Sequence, residues 1–517
     1  MEGKKIGFWE AVSIGIGGMI GGGIFAVLGL TVLLARGAAP IAFLIAGLIA
    51  LVTAYSYAKL SVRFPSEGGT IEFIVRAFGP GVFSAWLNTL LLASYVIMLS
   101  LYSYAFGSYG AVLIAGVENL VLKKVLTAFV IVFFTFLNLL GAYIVGKAED
   151  IMVAFKVFIL LFFSALGLLN VDLGRLSPST YPSVFNILTG GLIIFLAYEG
   201  FELIANTARD VENPEKILPK AFYTAVLFVM FVYVLVAFVA VGNLPYDEVV
   251  KAKDYVLAEA ARPFLGEWGF VLIGVAALIS TASAINATLY GTARISYLVA
   301  KYGQLPKIFE KKIWRGSYEG LIILSLLTLF AALTFNLKNI SVAGSLGFLI
   351  VFGAVNVSNW KLSEYTGANP LISAVGAVAC VFSAFVLVLH NLKVSPDSLK
   401  SSFIMIGATL VFELLYRTLT GKRLSEFIDW KLREREEFLK NLDFYLERLK
   451  AVIKERLSDA EIVISERGSG KSVSMVDVSV ATGKDIEDPK QEEAKIKEKA
   501  GIKAHHPVRI SFVKKAK

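Results

Sequence analysis

The sequence predicts an all-α polytopic membrane protein of about twelve transmembrane helices, followed by a small C-terminal α/β segment. Three observations carry that prediction. Hydrophobic residues make up 56% of the 517 and the mean hydropathy is +0.69, so the bilayer is the expected solvent. Apolar runs long enough to cross a membrane recur along the chain. Beyond Gly421 the composition turns abruptly charged.

The runs fall near residues 8–35, 38–62, 81–114, 122–144, 149–170, 186–207, 219–242, 267–300, 319–336, 340–362, 370–391 and 401–420. The first follows MEGKK directly and is too long and too Gly-rich for a signal-peptide core, so it is expected to remain as a span. FPSEGGTIEFIVRAFGPG, between the second and third runs, reads as a structured cytoplasmic re-entry. The amphipathic stretch from Pro245 to Arg262 reads as an external loop helix.

The expected domains are a membrane unit over 1–421 and a cytoplasmic tail over 422–517. In the tail, Leu432, Leu439, Leu442, Leu446, Leu449 and Ile453 keep a three-four spacing that predicts an amphipathic helix over 424–457. EIVIS, VSMVDVSV and VRISFV predict short strands, and EDPKQEEAKIKEK between the last two reads as a flexible charged segment. GSGKS lacks the first glycine of a phosphate-binding loop, since Ser465 stands there, which argues against nucleotide binding.

The net charge of +9 arises from loops rather than from a nucleic-acid surface. Lys59, Arg63, Arg76, Lys216, Lys220, Lys301 and Lys307 all fall on one side when the spans are counted from an internal N-terminus. The positive-inside rule then places both termini in the cytoplasm of a multi-pass plasma-membrane protein. One cysteine, Cys380, excludes an internal disulfide, and His390, His505 and His506 give no metal spacing. No Ser/His/Asp, Cys/His or metal-ligand set appears at intramembrane depth, so no enzyme and no metal or redox cofactor is expected.

Two spans are interrupted in corresponding places, five helices apart. GIGGMIGGGIF in the first holds six glycines in nine residues: Gly15, Gly17, Gly18, Gly21, Gly22 and Gly23. FLAYEGFE in the sixth holds Gly200 between two carboxylates, Glu199 and Glu202. Freed amides and carbonyls inside a membrane must face protein or water, and paired broken helices point to a secondary transporter built from inverted repeats. Tight packing of small residues would explain glycines on one face, but these are consecutive.

Lys156 lies in IMVAFKVFILLFFSALGLLNV, a run of spanning length. An ammonium at that depth costs several kcal/mol, so it reads as a proton or ion site, with snorkelling to the headgroups as the alternative.

GGMIGGGIF, AYEGFELIANTARDVENPEKILPKA and STASAINATLYGTARISYLVAKYGQLPKIF together resemble the amino acid-polyamine-organocation transporters, over residues 5–420. The resemblance extends to proton-coupled, broad-specificity members. It implies a LeuT-like five-plus-five inverted repeat, about 8–170 and 186–364, with two further helices over 370–420. It implies that the amides of Gly21, Gly22 and Gly23 bind a substrate carboxylate and that the carbonyls of Met19, Leu196 and Glu199 receive its ammonium. Leu196 occupies a place often held by an aromatic gate, for which Tyr198 and Phe201 are the candidate substitutes. Lys156 matches a lysine that replaces a sodium ion in proton-coupled members, bridging carbonyls near Gly18 to the hydroxyls of Ser280 or Thr281.

Glu202 has two readings: a proton carrier beside the substrate, or a carboxylate that fixes the broken helix through loop amides. Glu199 also has two: its carbonyl serves the ligand, or its charge favours cationic substrates. Arg209, Asp210, Glu212 and Glu215 read as a salt-linked gate or as solvated groups. The function expected is proton-coupled symport of neutral or broad-range L-amino acids by alternating access, with the proton as coupling ion and no other cofactor. The expected partners are an amino acid and membrane lipid. The rivals are an amino acid or amine exchanger and a sensor signalling through the tail.

Overall fold

The structure is a computed structural model that describes residues 5–140, 146–312, 319–420, 442–469, 472–482, 486, 489–500 and 508–514. It divides into two compact units, Met1–Leu424 and Ser425–Lys517. His505, His506 and residues 421–441, which include the first part of the expected tail helix over 424–457, lie outside the described residues.

The first unit is helical throughout and polytopic. The first expected span is two helices, α1 (Phe8–Met19) and α2 (Gly23–Ala35), and α3 (Ala39–Arg63) forms the second. α4 (Thr70–Phe78) is the structured element expected between the second and third spans. α5 (Val82–Ala115), α6 (Leu120–Leu140) and α7 (Gly146–Gly167) follow as spans three to five. The sixth is α8 (Val184–Ile194), a 3-10 turn Phe195–Tyr198, a non-helical stretch and α9 (Leu203–Asn206). α10 (Pro214–Asn243) is the seventh, and α11 (Tyr246–Ala252) and α12 (Val256–Glu259) occupy the predicted loop helix as two short pieces. α13 (Arg262–Lys301), α14 (Glu319–Thr334), α15 (Leu337–Lys361), the one-turn α16 (Ser363–Thr366), α17 (Pro370–Val394) and α18 (Pro396–Thr420) complete the unit.

Among the described residues ten helical stretches are long and apolar enough to span a bilayer, with α2 and α3 counted as one and the shorter α14 left aside. Their exposure is asymmetric for a physical reason. α15 is almost wholly buried, whereas α6, α17 and α18 present Phe133, Val378, Phe382, Ile404 and Leu415 outward, as helices facing lipid do.

The second unit has its own small core. α19 (Leu442–Arg456) and α20 (Pro489–Lys499) cover one face of a three-stranded sheet, β1 (Glu461–Ser469), β2 (Ser472–Thr482) and β3 (Val508–Lys514), in that order. β1 and β2 pair antiparallel, while β2 and β3 pair parallel across the α20 connection. Leu449, Ile453, Val478, Val480, Ile496 and Ile510 close the interior. Of the charged stretch expected to be flexible, Pro489–Lys499 is helix α20. Ile496 and Ala500 on one face are fully buried, and Glu492 is held to Arg456 at 2.7 Å. Of GSGKS, Gly468, Ser469 and Ser472 lie in the antiparallel strands β1 and β2, whereas a phosphate-binding loop must lead from strand to helix. Gly470 and Lys471 lie outside the described residues.

Candidate functional site

The two interruptions meet each other at the centre of the first unit. A Cβ placed on Gly18 would stand 2.7 Å from the Gly200 carbonyl oxygen, and one on Gly200 would stand 2.3 Å from the Gly18 carbonyl carbon. Backbone therefore packs directly on backbone, which only glycine permits. Gly200 is also required by its conformation, at φ 119°. Around the first break the glycines serve close approach: a Cβ on Gly22 would meet the Tyr102 ring at 2.4 Å, and one on Gly23 the Ala197 backbone at 2.8 Å.

The carbonyls freed by the first break are claimed by side chains from three other helices. Lys156 of α7, fully buried, donates from Nζ to the Gly17 carbonyl at 3.4 Å and to Ser283 Oγ of α13 at 3.3 Å. Tyr233 of α10 donates to the Met19 carbonyl at 2.6 Å and to the Ala197 carbonyl at 3.2 Å, joining the two breaks through one hydroxyl. Ser280 donates to the Gly21 carbonyl at 2.8 Å and the Ile20 carbonyl at 3.4 Å. Where no water competes, such partners decide whether an unwound segment is tolerated.

The second break is held by its own acid. The Gly200 amide donates to Glu202 Oε2 at 2.8 Å, and the Tyr95 hydroxyl donates to Oε1 at 3.1 Å. Both carboxylate oxygens of Glu202 thus accept hydrogen bonds from the protein. This geometry favours the positional reading of Glu202.

A cavity of about 130 Å³ opens beside the crossing, lined by Gly17, Gly18, Tyr95, Tyr102, Glu199 and Gly200, with Ser13, Ile14, Val153, Leu203 and the α13 residues Ala284, Ala287, Thr288, Gly291, Thr292 and Ile295. Of the residues predicted from sequence, Gly18 and Glu199 border it. Met19, Gly21, Gly22, Gly23, Leu196, Tyr198 and Phe201 do not. Leu196 packs on Gly344, Tyr198 donates to the Phe43 carbonyl at 2.9 Å, and Phe201 sits edge-on to Tyr57 at 5.4 Å. These three side chains are fully buried packing in this conformation.

The hydroxyls offered to Lys156 also differ from expectation. Ser280 is turned to the Gly21 carbonyl, and Thr281 donates to Ala277 of its own helix at 2.7 Å. Ser283, about one turn further along α13, supplies the hydroxyl instead, and Gly17 rather than its neighbour Gly18 supplies the described carbonyl.

On the N-terminal side, Glu67 between α3 and α4 meets Arg294 of α13 at 2.7 Å and Arg209 at 3.9 Å. The Arg294 hydrogen bond holds the Glu67 carboxyl below the usual carboxylate range. Ile6 adds a single parallel bridge to Val211, tying the segment before α1 to the segment after α9. Of the four residues read as a gate, Arg209 takes part in this ion-pair cluster.

Tyr95, Tyr102, Tyr233 and Ser283 were not distinguishable in the sequence. Each lies in an apolar run where a tyrosine or serine is ordinary packing, and its partner carbonyl is known only once the helices cross.

The amino acid permease family profile matches residues 6–412. The chain belongs to the amino acid permease family. An uncharacterized protein of Methanocaldococcus jannaschii is 38% identical over 82% of this chain and 98% of its own length. The inner membrane transport protein YbaT of Escherichia coli is 36% identical over 72% of this chain and 87% of its length. The chloroplastic cationic amino acid transporter 9 of Arabidopsis thaliana is 28% identical over 60% and 57%. Amino acid permeases belong to the amino acid-polyamine-organocation superfamily, so the resemblance seen in the three motifs extends to the whole membrane unit. As a permease this protein is a multi-pass membrane protein with an amino acid transport function, and the second unit lies beyond the matched residues.

Proposed function

We propose that this permease is a secondary active, proton-coupled symporter of neutral or broad-range L-amino acids. It works by alternating access between two inverted repeats, in the plasma membrane, with both termini cytoplasmic and the proton as its coupling ion. The observation that supports this most is the Lys156 bridge. A single ammonium on α7 holds a carbonyl of the α1–α2 break and a hydroxyl of α13, so its charge ties two helix sets together. Losing the proton removes the charge on which the carbonyl contact depends and frees α1 to move relative to α13. Glu202 is a less favoured proton carrier, because both of its oxygens are engaged in fixing Gly200 and Tyr95.

The test is uptake of labelled amino acids into proteoliposomes containing the full chain, without sodium, with and without an imposed inward proton gradient. Proton symport gives accumulation that collapses with a protonophore. Exchange that needs internal substrate and ignores the gradient would replace symport with antiport. Binding without any flux would favour a sensor.

A further inference from the structure

A second cavity, of about 270 Å³, opens where α2 ends, α3 begins and α10 ends. The whole length of α3 separates it from Glu67. Its charged lining residues are both cationic: Arg36, between α2 and α3, and Arg175, in the 3-10 turn Leu173–Leu176. No carboxylate is among the described lining residues.

Backbone packing brings these two arginines together. Thr180 donates to the Arg175 carbonyl at 3.0 Å, and a Cβ on Gly37 would stand 2.5 Å from that same oxygen. The Asp172 amide donates to the Gly242 carbonyl at 3.0 Å, which fixes the Arg175 turn to the end of α10. Two like charges fixed at one pocket repel each other, and an anion between them reverses the sign of that energy.

Both guanidiniums keep donors to offer. The described contact of Arg36 is the Tyr246 ring, 4.9 Å away at its centroid, and no carboxylate pairs with it among the described residues. A ring face attracts the charge but uses none of the in-plane N–H groups. Arg175 is held loosely, at 3.4 Å to Asp172 and at 3.4 Å to the Gly242 carbonyl. Arg36 also stands at φ 47° and ψ −128°, a conformation open to glycine and strained for arginine. Such strain marks a position whose side chain serves a purpose.

The setting favours a lipid over a dissolved anion. α2 and α10 are apolar spans that end beside the pocket, at the depth where headgroups meet water. Val32, Val241, Leu244 and Val249 give the cavity an apolar wall. Leu169 and Leu173, just before Arg175, are 81% and 68% exposed, as side chains in the acyl boundary are. The exposed Tyr246 suits the same interface.

We propose that Arg36 and Arg175 form a phosphate site that holds the headgroup of an anionic phospholipid, with the start of its acyl chains along the apolar wall. Paired guanidiniums match phosphate oxygens in geometry as well as charge, and basic pockets between spans take such headgroups. The site is separate from the crossing of the broken helices and does not depend on which ion drives transport.

The experiment measures the thermal midpoint of the full chain, delipidated in detergent, against added phosphatidylglycerol, phosphatidylcholine or glycerol phosphate. Phosphatidylglycerol should raise the wild-type midpoint, and the other two should not. Arg36→Gly removes the guanidinium and relieves the backbone, so it should fold, yet need about tenfold more phosphatidylglycerol for half the effect. Arg175→Gln should shift the response in the same direction, and Arg36→Lys should keep part of it. An equal rise with phosphatidylcholine shows a general lipid requirement and overturns the proposal. So does a rise with glycerol phosphate alone, which would make the ligand a soluble anion. An unchanged phosphatidylglycerol response in both Arg36→Gly and Arg175→Gln also overturns it, as does a loss of stability in Arg36→Gly that is the same with and without the lipid. The wild-type comparison of the three additives stands even if a variant fails to fold.

Discussion

The two broken helices solve one problem in opposite ways. The α1–α2 break relies on donors from distant helices: Lys156 on α7, Tyr233 on α10 and Ser280 on α13. The break after α8 is held in part within itself, by Glu202 capping Gly200 two residues earlier, with Tyr95 and Tyr233 as outside partners. A segment satisfied by remote side chains changes state when those helices move or when one donor loses charge. A segment satisfied by its neighbour stays put. The first break is thus the adjustable half of the site and the second its fixed half, and Tyr233 is the hydroxyl that touches both.

The sharpest way to break this contrast is Lys156→Ala. On the proposed coupling role gradient-driven accumulation should fall at least ~10-fold, and because the ammonium also holds the Gly17 carbonyl the fold of the variant is checked by its thermal midpoint in detergent. Retained accumulation in the transport assay would remove Lys156 from the mechanism.

Gly200→Ala should be the most destabilising change at the fixed break. An alanine at φ 119° costs roughly 1–3 kcal/mol in backbone strain before its methyl meets the Gly18 backbone. Thermal unfolding in detergent should show a lower midpoint or no folded protein, whereas a tolerated alanine would mean that the crossing is looser than described.

Glu202→Gln tests the self-held break more gently. The amide keeps one acceptor and loses one, so the cost should be about 1–2 kcal/mol, read from the same unfolding curves. Proton-driven uptake should persist in this variant. Loss of gradient dependence with unchanged stability would restore Glu202 as a proton carrier.

The smallest effect concerns Glu67 on the N-terminal side. Its carboxyl is held below the usual range by Arg294, so the pair contributes to stability above the unfolded carboxylate pKa of about 4.3 and loses that contribution as pH falls through the lower folded value. Stability of wild type minus that of Arg294→Met should therefore shrink only at acidic pH. A difference that stays constant from neutral to strongly acidic pH would show that the pair contributes no charge-dependent stability.

The sequence by itself determined the membrane class, the positions of the spans and the two interruptions, because apolar length and clustered glycine are local properties that a bilayer converts directly into structure. It also singled out Lys156, Glu199 and Glu202, since an ionisable group at intramembrane depth is conspicuous wherever it points. It misread the stretch around Glu492 and Ile496, where charge masked one apolar helical face that becomes buried only against the sheet of the second unit. Only the tertiary structure decided which hydroxyl meets Lys156, that Tyr233 bridges both breaks, and that Glu199 rather than the glycine amides borders the cavity. Those outcomes depend on how helices far apart in the chain are rotated about their axes, and one residue's shift turns a helical side chain by about 100°.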